Sequence, residues 1–218
     1  MPTTASLTRR HEWILLLTLT VMNFTHIMDF MVMMPLGPQF MRLFHVTPRQ
    51  FGLLVSTYTF AAAGVGFIAA FVVDRFDRKH TLLTVYAGFG VSTLLCALAP
   101  SYQWLLLARA VAGGFGGVMG ATLMAIVGDV VPQERRGTAM GTVMAAFSLS
   151  AVAGVPSGLL LAEWFGWQGP FVFLGLLALP LWLLAQRILP PLHGHLVHRR
   201  SQNPWQQVRF MYSQPVHL

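Results

Sequence analysis

Charge is what this sequence has least of. Asp, Glu, Lys and Arg make up 10% of its 218 residues, against about 25% in a soluble domain, so the chain cannot build an ordinary water-facing surface. It has one cysteine, Cys96, which excludes a disulfide framework. Glycine shows no three-residue period and 55% of the residues are hydrophobic, which excludes collagen-like and disordered chains. Nothing in the pattern calls for a cofactor or a metal. What is left is an all-α protein that crosses a membrane several times.

The charge that is present is unbalanced, +7 overall, and such an excess invites a nucleic-acid reading. The positions argue otherwise. Lys and Arg stand in short clusters between long apolar runs, not on a face interleaved with aromatic residues, so no nucleic-acid partner is expected. Charge-free stretches run over Trp13–Met28, Gln50–Val73, His80–Ala108, Ala110–Gly128, Gly137–Ala162 and Trp164–Gln186. A spanning helix needs about 20 mostly apolar residues. The first run reaches that length by continuing through Asp29 to about Leu36, and the fourth by starting near Gln103 and taking Arg109 into the membrane. Six helices result.

Orientation follows from the bias of Lys and Arg toward the cytoplasmic side. With the N-terminus inside, eleven of the 14 Lys and Arg fall on inner segments. Arg42 and Arg49 fall outside. Both termini are then cytoplasmic. Arg9-Arg10 before an apolar run looks like a signal peptide, but no small-x-small cleavage site follows and the run is too long. Residues 1–11 read as a cytoplasmic tail, residues 12–189 as the six-helix transmembrane unit, and residues 190–218 as a cytoplasmic linker. That last stretch is rich in proline and histidine. Arg199, Arg200 and Trp205 suit it either to lie on anionic lipid or to act as a plain disordered linker. Cys96 is expected to pack as a small hydrophobe.

The features that carry chemistry are the charges kept inside the apolar runs. A carboxylate at membrane depth costs about 2.5–3.5 kcal/mol on insertion scales and usually faces a cavity or a partner. Asp29 lies sixteen residues past Trp13, about 24 Å along a helix. Arg109, entering from the other side near Gln103, lies about 9 Å down. In a core about 30 Å thick the two reach the same level in the outer half. They are expected to form a buried pair whose carboxylate changes protonation; a static pair that only fixes helix packing is the alternative. His26, three residues before Asp29, shares its face, either in the same cavity or as a polar packing residue.

Gly113, Gly116, Gly117 and Gly120 follow Arg109 on its own side and are expected to let another helix approach closely. A phosphate-loop reading of this run fails, since it lies mid-membrane and lacks the Gly-Lys-Ser/Thr ending. Between the second and third helices stands Asp74-Arg75-Phe76-Asp77-Arg78-Lys79. Asp74 is expected to cap the following turn or face a helix N-terminus, and Arg78 to bridge to Asp129. In the fifth helix Pro156 removes a backbone donor and kinks the chain. Ala151, Gly154, Gly158 and Ala162 form a small-residue seam there. An intramembrane serine protease built on Ser157 would need a histidine base at membrane depth, and the sixth run has none. The chain is not read as an enzyme.

Together these residues resemble the major facilitator superfamily, and within it the twelve-helix drug:proton antiporter branch. Asp29 with Met34-Pro35-Leu36 resembles the first-helix motif, and Asp74 to Lys79 the gate motif. Arg109 with Gly113 and Gly117 resembles the fourth-helix motif. Gly154-Val155-Pro156-Ser157-Gly158, with Gly166-Trp167 and Phe171, resembles the antiporter motif. The match runs over about residues 12–190.

The resemblance implies a cytoplasmic gate of Asp74, Arg75, Arg78, Lys79 and Asp129. It implies a proton and substrate cavity at Asp29, Arg109 and His26, and an interface between halves along the kinked fifth helix at Gly154, Pro156 and Gly158. The implied partners are protons, a small-molecule substrate, the lipid bilayer, and either a missing C-terminal half or a second copy. The implied place is the bacterial inner membrane. Ala70 and Asp77 stand where the family usually has glycine; Asp tolerates left-handed turn geometry better than most residues, so Asp77 is expected to keep that turn. Gln168 stands where an arginine is common. The chain supplies one six-helix half, so the resemblance implies the N-terminal half of a secondary active transporter, exporting small molecules with proton coupling by alternating access; a self-contained six-helix homodimeric carrier and an inactive truncated product are the alternatives.

Overall fold

The computed structural model describes residues 9–73 and 76–190. It is helical throughout these residues. In chain order the helices are α1 (Arg9–Met31), α2 (Gly37–Phe44), α3 (Pro48–Val72), α4 (Arg78–Ala97), α5 (Tyr102–Val130), α6 (Gln133–Leu149), a π-helical turn (Ser150–Gly154), α7 (Val155–Phe165) and α8 (Gly169–Ile188). Six spans are long and apolar enough to cross a membrane: α1, α3, α4, α5, the continuous stretch Gln133–Phe165, and α8. Asp74, Arg75 and the linker beyond residue 190 lie outside the described residues, and with them the expectations placed there. Arg9, Arg10 and His11, expected in the N-terminal tail, already belong to α1.

Local chemistry sets where each helix begins. Thr47 accepts a hydrogen bond from the Gln50 amide while the Gln50 side chain answers the Thr47 amide, a reciprocal cap with Pro48 in the first turn of α3. Ser101 caps α5 through the Trp104 amide. Asp77 caps α4, its carboxylate accepting from the Lys79 amide. Asp77 sits at φ −61° and ψ 125°, so the expected left-handed turn at this residue is replaced by the extended backbone of an N-cap.

Two boundaries differ from the sequence reading. The first span does not run on to Leu36. It ends at Met31, and residues 32–36 form a turn before α2. Pro35, without an amide hydrogen, cannot continue the ladder. Phe40 of α2 is then buried against Trp167 and Phe171. Trp164, placed at the start of the sixth span, instead lies in α7. The break comes at Gly166, whose φ of 75° suits glycine.

The helices pack α3 on α5, α5 on α4, α4 on α8, and α8 and α6 on α1. Two apolar cores fill opposite ends. One gathers Leu15, Leu19, Tyr86, Phe89, Leu123 and Ile126. The other gathers Val32, Phe40, Cys96, Leu105, Trp167 and Phe171. Cys96 is buried there, packed as a small hydrophobe. The polar residues of interest lie between the cores.

Candidate functional site: a buried ion pair between α1 and α5

In helix α5 a glycine run follows Arg109, and that run decides how close α3 comes. A Cβ at Gly113 would fall on the Tyr58 carbonyl, and one at Gly117 on the Ala62 carbonyl, both backbone atoms of α3. The expected close approach is therefore real at these two positions. At Gly116 a Cβ would meet the side chains of His26 and Tyr58. Gly120 takes no part: a Cβ there would meet nothing within 4 Å.

This crossing brings Tyr58 beneath Arg109, whose guanidinium carbon stands 4.3 Å from the ring centroid, a cation–π contact. Arg109 Nη1 donates to Asp29 Oδ2 at 2.7 Å and lies 3.5 Å from the Asp29 carbonyl. Neither side chain has any exposed surface. The pair expected from helical rise is thus formed. Thr93 and Cys96 of α4 face it. Its hydrogen-bonding capacity is only part used within the protein: Arg109 Nε, Tyr58 Oη and His26 Nδ1 are buried without a protein partner, while the Thr93 hydroxyl stands toward the Asp29 carboxylate and the Cys96 thiol toward the guanidinium.

His26 lies beside the pair and does not join it. Its ring stacks edge-on to Phe89 at 5.7 Å and tilts toward Tyr58 at 6.3 Å. It lines a cavity of about 210 Å³ with Phe30, Tyr58, Thr59, Gly116 and Phe147.

At one end of the bundle a second set of charges ties helices together. Arg78 Nη1 bonds Asp129 Oδ2 at 2.9 Å and the Ala125 carbonyl at 2.7 Å, the bridge expected from sequence. Lys79 Nζ donates to the Leu189 carbonyl at 2.6 Å, just past the end of α8, where a cation complements the helix dipole. Glu12 and Arg135 pair at 3.1 Å between α1 and α6.

At the place where Pro156 is expected to kink the fifth span, the helix widens into a π turn: the Val155 amide reaches back to the Ser150 carbonyl. Gly154 packs on Phe24 and Met28, and Gly158 on Met28 and Val32. Ala162 is buried, whereas Ala151 is exposed. The seam therefore faces α1 within this bundle, and Ala151, expected in it, points away because the wider turn shifts its phase.

Residues 19–217 match the family model of the Major Facilitator Superfamily. The chain belongs to that superfamily. Similar members include the uncharacterized MFS-type transporter YceJ of Bacillus subtilis, 34% identical over 74% of this chain and 41% of YceJ. A probable sugar efflux transporter of Mannheimia succiniciproducens is 26% identical over 67% of this chain and 37% of that protein. The chain thus spans less than half the length of these curated relatives. Among solved structures, an inward-facing, unoccupied bacterial homolog of the human lysosomal transporter Spinster superposes with a TM-score of 0.75. Identity is 20%, covering 94% of this chain and 48% of that one. The peptide transporter POT superposes at 0.72 with 13% identity. These likenesses establish the six-helix fold, an integral membrane protein, and kinship with transporters, which are not enzymes.

Within this superfamily fold, sequence reasoning missed Tyr58, Thr93 and the Glu12–Arg135 pair. Tyr58 and Thr93 carry no charge to mark them in an apolar run. Only the register of α3 and α4 against Arg109 gives them a role.

Proposed function

We propose that the chain is the N-terminal six-helix half of a secondary active transporter of the drug:proton antiporter kind. It exports small molecules by alternating access, with both termini cytoplasmic in a bacterial inner membrane. One observation carries this reading: an Asp29–Arg109 ion pair with no exposed side-chain surface, set between apolar helices. Asp29 exchanges the guanidinium for a proton when the site opens to one side, and the freed Arg109 rests on the Tyr58 ring. The Arg78–Asp129 bridge, together with Asp74, Arg75 and Lys79, acts as the inner gate. The fifth span bends at Gly154, Pro156 and Gly158 as the halves rock.

The partner half accounts for the uncovered faces. Of α3 only Leu54 and Tyr58 are buried, while Phe60, Phe67 and Ile68 are 75%, 69% and 65% exposed. A second copy of the chain would also cover this face, which makes a six-helix homodimeric carrier the second reading.

The test is transport in inside-out vesicles bearing the protein expressed from its natural gene. Asp29→Asn should abolish export driven by a proton gradient while leaving the protein in the membrane. Unchanged export would refute the assignment. The mass of the denatured polypeptide separates a second half from a second copy: a chain that pairs with its own copy stays at 24.1 kDa, and one that carries a second half is about twice that.

A further inference from the structure

Tyr58 stands as a partition. One face of its ring carries Arg109 at 4.3 Å, and its edge lines the 210 Å³ cavity, to which neither Asp29 nor Arg109 contributes. No charged residue lines that cavity; its walls are nearly all apolar, with Phe30 and Phe147 the largest apolar side chains. Tyr58 is 4% exposed, and its hydroxyl has no protein partner. The tip of that hydroxyl converges with His26 Nε2 over Gly116, where an added Cβ would lie 2.7 Å from the one and 2.5 Å from the other. Two hydrogen-bonding atoms therefore come in against the Gly116 backbone at one spot of an otherwise greasy wall, an approach that the missing Cβ permits.

We infer that this cavity binds the ring of a neutral molecule bearing one hydrogen-bonding substituent, which is recognised by Tyr58 Oη and His26, and that it disfavours a cation. This rests on the reading of the region as a transporter's substrate cavity and adds the class of substrate. The apolar body packs on Phe30 and Phe147. The substituent accepts from the Tyr58 hydroxyl, while His26 donates or accepts according to its tautomer. A cation would find no carboxylate here, since Asp29 is engaged by Arg109 behind the Tyr58 ring, and one face of that ring is already taken. At about 210 Å³ the space is smaller than the roughly 300–1,000 Å³ of a complete ligand pocket. It fits one ring, as befits a subsite.

The test is fluorine NMR titration of the purified, detergent-solubilised protein with three probes: 4-fluorobenzyl alcohol, 4-fluorotoluene and 4-fluorobenzyltrimethylammonium. Empty micelles report partitioning. The alcohol should bind saturably and more tightly than the other two. Tyr58→Phe should weaken the alcohol about fivefold, as expected for one neutral hydrogen bond, and leave 4-fluorotoluene unchanged. Gly116→Ala should weaken alcohol binding by displacing the Tyr58 and His26 tips from each other's side. Equal binding of alcohol and hydrocarbon with no effect of Tyr58→Phe would overturn the inference. So would tighter binding of the ammonium probe. The readout is binding without a proton gradient, so the Asp29→Asn transport result neither supports nor spoils it.

Discussion

Asp29 and Arg109 meet at 2.7 Å with no water-accessible surface on either side chain, joining a helix that enters from one face of the membrane to one that enters from the other. A pair in this setting is held against a large desolvation penalty. Removing one partner should therefore cost far more than replacing both. Asp29→Ala or Arg109→Ala alone is expected to lose about 3–5 kcal/mol of stability, whereas the double variant Asp29→Ala with Arg109→Ala should lose much less than the sum of the two. Thermal unfolding of the four proteins in one detergent gives the cycle. Additive single losses would mean that the two charges are not coupled.

The glycines after Arg109 give a graded prediction. Gly113→Ala and Gly117→Ala push a methyl into backbone carbonyls of α3, and backbone cannot step aside as a flexible side chain does. Each is expected to cost about 1–3 kcal/mol. Gly120→Ala meets nothing within 4 Å and should be neutral or slightly stabilising, because alanine is the better helix former. Equal melting temperatures for all three would refute the α3–α5 crossing.

Glu12 and Arg135 should respond unequally. The Glu12 side chain is 9% exposed and that of Arg135 48%. Deleting the arginine strands a nearly buried carboxylate, while deleting the carboxylate leaves an arginine that can turn to water. Arg135→Gln should thus destabilise by about 1–3 kcal/mol, and Glu12→Gln by clearly less. Guanidinium-free thermal melts of both variants decide it; the reverse ranking would place the pair in solvent.

The legible part of the sequence was the part written in charge. Asp29 and Arg109 stood out in apolar runs, and the fixed rise of a helix was enough to set them level. Arg78 and Asp129 followed in the same way from their places at helix ends. Tyr58 did not stand out, because its role depends on the angle at which α3 crosses α5, and that angle is set by Gly113 and Gly117 against carbonyls that no spacing rule names. The turn at residues 32–36 was hidden by hydrophobicity. Its residues are apolar enough to extend the first span, and Phe40 makes the break favourable only through Trp167 and Phe171, far along the chain.

Pro156 raises the question of cause. A proline alone kinks a helix by removing one donor and crowding the carbonyl four residues back, but here the chain widens into a π turn before the proline is reached. Both sides of that turn are held by α1. At its first residue, the Ser150 hydroxyl donates to the Phe24 carbonyl at 3.2 Å; after it, Gly158 rests on Val32 and Met28. Closing the π turn into regular α-helix would rotate α7 by about 100° against α6, one residue of a 3.6-residue turn. Gly158 would leave its contact, and a bulkier neighbour would face Val32. The packing fixes the turn, and the proline occupies a position whose amide is dispensable. Pro156→Ala is therefore expected to shift stability by less than about 1 kcal/mol and to keep the bend. Gly158→Leu, whose Cβ would already lie 2.6 Å from Val32, should lower the melting temperature sharply. A large loss from Pro156→Ala, or tolerance of Gly158→Leu, would reverse the order of cause and return the bend to the proline.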